Sequence, residues 1–112
     1  MIMAAQEQYL PPYLPIVVER ILRQFDPIRI ILFGSWARNE ARPDSDYDLL
    51  IVLPQAEDKR QAAIQIGNSL SDLPISKDIV VTTPAEIAAK SNLVGNVLRP
   101  ALREGLVVYE RT

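Results

Sequence analysis

Three runs of β-branched and aliphatic residues constrain this chain most. They are residues 28–33 (IRIILF), 46–53 (DYDLLIVL) and 75–81 (ISKDIVV). Val, Ile and aromatic residues favour the pleated, packed surface of a sheet. The first two runs are so nearly continuous in apolar residues that they predict strands buried on both faces. The stretches around them carry a different period. Leu14, Val17, Val18, Ile21, Leu22 and Phe25 follow the i, i+3, i+4, i+7, i+8 spacing of an amphipathic helix. Asp26-Pro27 ends it, because a residue before proline is pushed out of the helical region.

Further helices are predicted after each strand. Trp36 to Glu40 can begin a short one. Residues 58–70 form another, with Ala62, Ala63, Ile66 and Leu70 on its apolar side. Thr83-Pro84-Ala85-Glu86 is a capping-box start, and Val94, Val97, Leu98, Ala101 and Leu102 continue at helical spacing. Gly105 stands where a helix end wants a left-handed residue, and Leu106 to Tyr109 suit a last short strand. The residues up to Pro11-Pro12 read as a loose lead-in. The order α-β-α-β-α-β-α-(β) predicts an α/β or α+β domain. With 112 residues, residues 1–112 are expected to form one domain.

Composition restricts the chemistry. There is no cysteine, which removes disulfides, thiolate nucleophiles and zinc–sulfur sites. There is no histidine, which removes the commonest general base. Catalysis must then use carboxylates, hydroxyls, Lys or Arg and oxygen-bound metal, which favours magnesium over zinc. The formal charge is −2, so no basic footprint for direct nucleic-acid binding is present. No signal peptide and no apolar run of membrane-spanning length is visible, so a cytoplasmic protein is expected.

Asp46 and Asp48 are the first chemical signal. Residues i and i+2 of a strand share a face, so both carboxylates project together while Tyr47 points the other way. Paired carboxylates repel and raise each other's pKa, and a divalent cation between them removes that cost. In an isolated Asp-x-Asp the favoured reading is that one aspartate caps a turn and the other is solvated at a strand mouth. Gly34-Ser35 adds to it: glycine after a buried strand allows close backbone approach, and a following helix start offers N–H groups to phosphate. Asp78, at the entry to the third strand, would join the pair if the two strands are neighbours. Three carboxylates can hold two metal ions for an in-line displacement. Arg38 and Arg42 flank the loop and fit phosphate or nearby acids, with surface pairing favoured for Arg42. Lys77 is expected on the opposite strand face, in solvent. Trp36 is expected to pack on the domain. Neither a P-loop nor a Gly-x-Gly-x-x-Gly fingerprint is present.

Gly34-Ser35, ten intervening residues, Asp46-Tyr47-Asp48 and the later Asp78 together resemble the polymerase-beta-like nucleotidyltransferase superfamily. The run GSWARNEARPDSDYDLLIVL and the tail VLRPALREGLVVYER are similar to its minimal nucleotidyltransferase (MNT) branch. The resemblance implies a small mixed sheet flanked by helices. It implies that Gly34 and Ser35, with Arg38, hold the triphosphate of ATP, and that Asp46, Asp48 and Asp78 bind magnesium. Asp78 would also help deprotonate an acceptor hydroxyl. Asn39 departs from the pattern, since many relatives have glycine there. MNT proteins are commonly paired with HEPN toxins, and similar proteins neutralise them as antitoxins by transferring AMP to a tyrosine, an AMPylation. The resemblance thus implies a HEPN-family partner in a toxin–antitoxin system. Neutralisation by contact alone and transfer to a small molecule remain alternatives. No membrane partner is expected, and a homo- or hetero-oligomeric surface is left open.

Overall fold

The computed structural model describes residues 10–90, 93 and 95–111. Its elements run α1 (Leu14–Gln24), β1 (Arg29–Phe33), β2 (Tyr47–Val52), α2 (Lys59–Ser69), β3 (Lys77–Thr82), α3 (Pro84–Lys90), α4 (Leu98–Glu104) and β4 (Leu106–Glu110). The strands form one sheet in the order β3-β2-β1-β4. β1 is antiparallel to β2 and β4, while β2 and β3 are parallel. This is the small mixed sheet with helices that the sequence implied.

The two faces of the sheet differ. Ile30, Leu32, Leu49, Ile51 and Val81 point to one face and pack with Leu14, Val17 and Ile21 of α1 and Ile66 of α2. Tyr47 lies in this layer, where its hydroxyl accepts from the Tyr13 backbone N–H at 3.0 Å and Trp36 meets its ring edge-on, centroids 6.2 Å apart. Ile31 and Leu50 point to the other face and meet Leu98 and Ala101 of α4, with Phe33, Val80 and Leu102 packed against them. That second layer holds four buried residues against thirteen in the first, so it leaves one end of its face uncovered.

Several expectations are corrected. Residues 34–39 form consecutive turns and no helix; Arg38 N–H reaches the Gly34 carbonyl at 3.1 Å and Glu40 N–H reaches Ser35 at 2.9 Å, and the coil stops there. Asn39 takes φ +59°, a left-handed conformation that continues no helix. The helical pattern from Thr83 onward is two helices, α3 and α4, with Gly95 at φ +85° between them. Val94 and the chain before Leu10 lie outside the described residues. Pro11 belongs to the packed structure: its side chain is buried and its carbonyl accepts from Leu14 N–H at 3.1 Å. Lys77 is partly covered, its stem beside Gly67 of α2.

Gly105 is not left-handed. It is extended, with φ −72° and ψ 158°. Glycine is required there for space: a Cβ would stand 2.3 Å from both the Ala101 carbonyl oxygen and Ile31 Cγ2. The end of α4 therefore rests directly on β1. Among the described residues no helix is long and apolar enough to cross a membrane. Gly105→Ala should cost roughly 2 kcal/mol, the scale of overpacking against rigid neighbours. Urea unfolding checks this, and an unchanged midpoint would contradict the close approach.

Candidate active site

The uncovered end of the second face is where the chemistry gathers. In register, Phe33 of β1 pairs with Asp48 of β2, and Asp48 pairs with Asp78 of β3. These three residues form one row across the sheet, one step beyond the row Ile31–Leu50–Val80 that α4 helps cover. Adjacent strands stand ~4.8 Å apart, so the parallel pairing makes Asp78 the lateral neighbour of Asp48. Asp46 precedes β2 by one residue and is exposed.

A cleft of about 660 Å³ opens there, lined by Phe33, Gly34, Ser35, Arg38, Asp44, Ser45, Asp46, Asp48, Pro100 and Glu104. Its walls are the β1–β2 connection on one side and the end of α4 on the other. All but one of the candidate residues line it. Asp78 does not; it is solvent-exposed and acts on the cleft through Asp48. The connection is braced by the turn at 42–45, where Arg42 N–H donates to Ser45 Oγ at 2.8 Å and Ser45 N–H to the Arg42 carbonyl at 2.9 Å. Trp36 Nε1 donates to the Ser45 carbonyl at 3.3 Å, which ties the two ends of the connection together. Trp36 is buried, as expected of a packing residue. The Arg42 side chain makes no ion pair among the described residues, contrary to the surface pairing favoured for it.

Gly34 has two structural reasons to be glycine. Its φ is +75°, and a Cβ built on it would fall 2.1 Å from Asp48 Oδ2. The group that approaches the bare backbone so closely is the carboxylate of Asp48. The glycine thus makes room for an acid aimed into the cleft.

That acid is electrostatically unfavourable. Burial pushes the Asp48 pKa above its ordinary value, the charges of Asp78 and Asp46 push it further, and Arg38 opposes them. Arg38 is itself engaged: its Nε donates to Glu40 at 2.9 Å, and its Nη1 stands 4.0 Å from Glu104. Arg38 thus pairs with acids while lining the cleft.

The donor set suits a hard cation. With no histidine or cysteine, it consists of carboxylate and hydroxyl oxygen, the ligands of magnesium. The repulsion on Asp48 is the kind that a bound cation relieves. Asp46 and Asp48 would hold it from the cleft side, with Asp78 beside them. Among the described residues no three acidic side chains stand at ligand spacing about one point.

Two outcomes are expected. Gly34→Ala should cost roughly 1–2 kcal/mol for the left-handed backbone. The larger effect should be on the site, since the Asp48 carboxylate can swing away where a backbone could not; a crystal structure of the variant with Asp48 unmoved would contradict this. Second, a carboxyl whose folded pKa is raised binds its proton more tightly folded than unfolded. Its contribution therefore favours the fold at acid pH and is lost as pH rises from the ordinary carboxylate value through the raised one. Asp48→Asn should melt higher than wild type at neutral pH, with the gap closing toward acid pH. Thermal unfolding across that range measures it, and a variant that melts lower at neutral pH contradicts it.

Comparison with known proteins follows this geometry. No curated protein matches the chain. Among solved structures, the chain is similar to a candidate nucleotidyltransferase from Sulfolobus solfataricus, with a TM-score of 0.59 and 18% identity over 85% of this chain and 75% of that one. At that identity the likeness shows the fold. The profile of the nucleotidyltransferase domain family matches residues 14–100, which includes Gly34, Ser35, Asp46, Asp48 and Asp78. On that match the chain belongs to the nucleotidyltransferase domain family.

Proposed function

We propose that this chain transfers AMP from ATP to a hydroxyl group, with magnesium held by Asp46, Asp48 and Asp78. The observation that carries the reading is the placement of Asp48. A charged side chain held in a partly buried position, with two like charges pressing on it and a glycine cleared to admit it, is stable only at a cost. Cation binding gives that cost a purpose. The bound metal would neutralise charge on the polyphosphate and on the oxygens that exchange at phosphorus.

The chain's own residues divide the remaining work. Gly34 and Ser35 form the floor on which the phosphates lie, with the Ser35 hydroxyl as donor. Arg38 reaches the cleft from the far side of the same loop and presents guanidinium N–H groups to phosphate oxygens. In the transfer, the acceptor oxygen bonds to the α-phosphorus and the bond from that phosphorus to pyrophosphate breaks. The acceptor proton passes to a carboxylate, a role we assign to Asp78; its position beside Asp48 and open to solvent supports that assignment.

The acceptor reading follows from the resemblance: a tyrosine hydroxyl of a HEPN-type toxin, the chain acting as its antitoxin. The open cleft supports an acceptor presented by a second molecule, because α4 closes only one of its sides. Contact alone would leave the electrostatic strain at Asp48 without a role.

The test uses radiolabelled ATP, magnesium and a candidate HEPN protein. Label should appear on the partner, and Asp46→Asn or Asp48→Asn should slow its transfer roughly a thousandfold, the equivalent of several kcal/mol at about 1.4 kcal/mol per factor of ten. Full toxin neutralisation by the same variants without any transfer would replace the enzymatic reading with neutralisation by contact.

A further inference from the structure

The family match ends at residue 100, yet the cleft does not. Its second wall is the end of α4, and Glu104 is the charged side chain there. Glu104 is held in place by its neighbour. Gly105 lies flat against Ile31 and Leu32 with no room for a Cβ, and Leu98 and Ala101 anchor the same helix on Ile31 and Leu50. The backbone at 104 therefore cannot drift away from the cleft.

From that fixed position the Glu104 carboxylate stands 4.0 Å from Arg38 Nη1. The other acid on Arg38 is Glu40, at 2.9 Å from Nε. The two contacts are unequal. Glu40 makes a hydrogen bond from within the loop and does not line the cleft. Glu104 makes a looser ion pair across the cleft, and its side chain is half exposed, at 50%. A phosphate entering between Ser35 and Arg38 meets Glu104 as a competing anion and leaves Glu40 undisturbed.

We propose that Glu104 is a positioning residue that competes with nucleotide phosphate for Arg38 and so sets the affinity of the cleft. The inference rests on the nucleotide reading given above. The physical consequence is specific. With phosphate absent, Glu104 and Glu40 together keep the guanidinium extended over the cleft. With phosphate bound, the Glu104 ion pair is given up, and its carboxylate repels the polyphosphate. Exposed ion pairs are weak, so the exchange requires little energy and remains reversible. Screening weakens both effects, so added salt should lessen the influence of Glu104.

A double-mutant cycle tests this. Wild type, Glu104→Gln, Arg38→Gln and the double variant are titrated with ATP in the presence of magnesium, by calorimetry, at low and at high salt. Glu104→Gln keeps the side chain's length and removes its charge. It should tighten ATP binding roughly twofold to fivefold at low salt, the scale of one exposed charge pair. The gain should shrink at high salt and be clearly smaller when Arg38 is already Gln, where only the direct repulsion of the polyphosphate remains. Unchanged or weaker binding by Glu104→Gln overturns the inference, as does an equal gain in the Arg38→Gln background, which would mark a general charge effect. Failure of wild type to bind ATP at all would overturn the nucleotide reading itself, and this inference with it.

Discussion

The carboxylate of Asp48 sits on bare backbone, and the surroundings of the site are arranged around that contact. A side chain can come so near Gly34 only because no Cβ occupies the space. The same glycine supplies the positive φ that turns the chain out of β1 and into the connection. One residue therefore both ends the strand and seats the acid. The register completes the arrangement: the antiparallel pairing sets Phe33 across from Asp48, and the parallel pairing sets Asp78 on its other side. Asp78 stands beside Asp48 because β2 and β3 pair in parallel, while the antiparallel partner β1 brings Phe33 and the Gly34 turn to its other side.

The unequal coverage of the sheet explains why the site is open. α1 and α2 cover one face, and the strand residues facing them are apolar except at the end of β3, where the stem of Lys77 lies beside Gly67 of α2. On the other face the apolar rows stop at Ile31 and Leu50, and α4, only seven residues long, covers those and ends. Extending the helix layer over the next row would bury Asp48 beside Asp78 with no compensating charge, which is far too costly. The short helix and the acidic row are thus consistent with one another, and the cleft is what lies between them.

Much of this was legible in the sequence, and the exceptions have physical causes. Strands β1 and β2 were evident from their β-branched runs, and the shared face of Asp46 and Asp48 from a period of two. That Asp78 neighbours Asp48 was only conditional, since strand order is decided by packing between distant segments. The coil at 34–39 was misread because Trp36 and Ala37 are ordinary helix residues. What stops the helix is Asn39 in the left-handed region together with Trp36 turning inward to Ser45 and Tyr47. Asn39 also answers the departure noted at that position. It takes the backbone conformation glycine would favour, and asparagine is among the few side chains that tolerate it. Gly105 was correctly marked as special for the wrong reason. Close approach and left-handed backbone both demand glycine, and a sequence does not distinguish them. Glu104 carried no signal, because a charged residue in the last turn of a helix is ordinary until the opposite wall is seen.

The electrostatics of the whole chain and of the cleft point the same way. An acidic protein with an acidic cleft would repel a polyphosphate. Among the described residues Arg38 is the one cation lining that cleft, and it is already shared between two carboxylates. Its remaining capacity cannot offset Asp46, Asp48 and Asp78 by itself. Binding a nucleotide here therefore requires positive charge from outside the chain. On the function proposed above, a divalent cation would supply it at the carboxylates, where the repulsion is greatest, and would leave Arg38 to orient a phosphate. The separation of roles follows from position. Asp48 and Asp78 lie on the sheet, with Asp46 at its edge, where fixed geometry suits metal ligation. The guanidinium lies on a turn at the end of a long stem, a position suited to the exchange of anions proposed above.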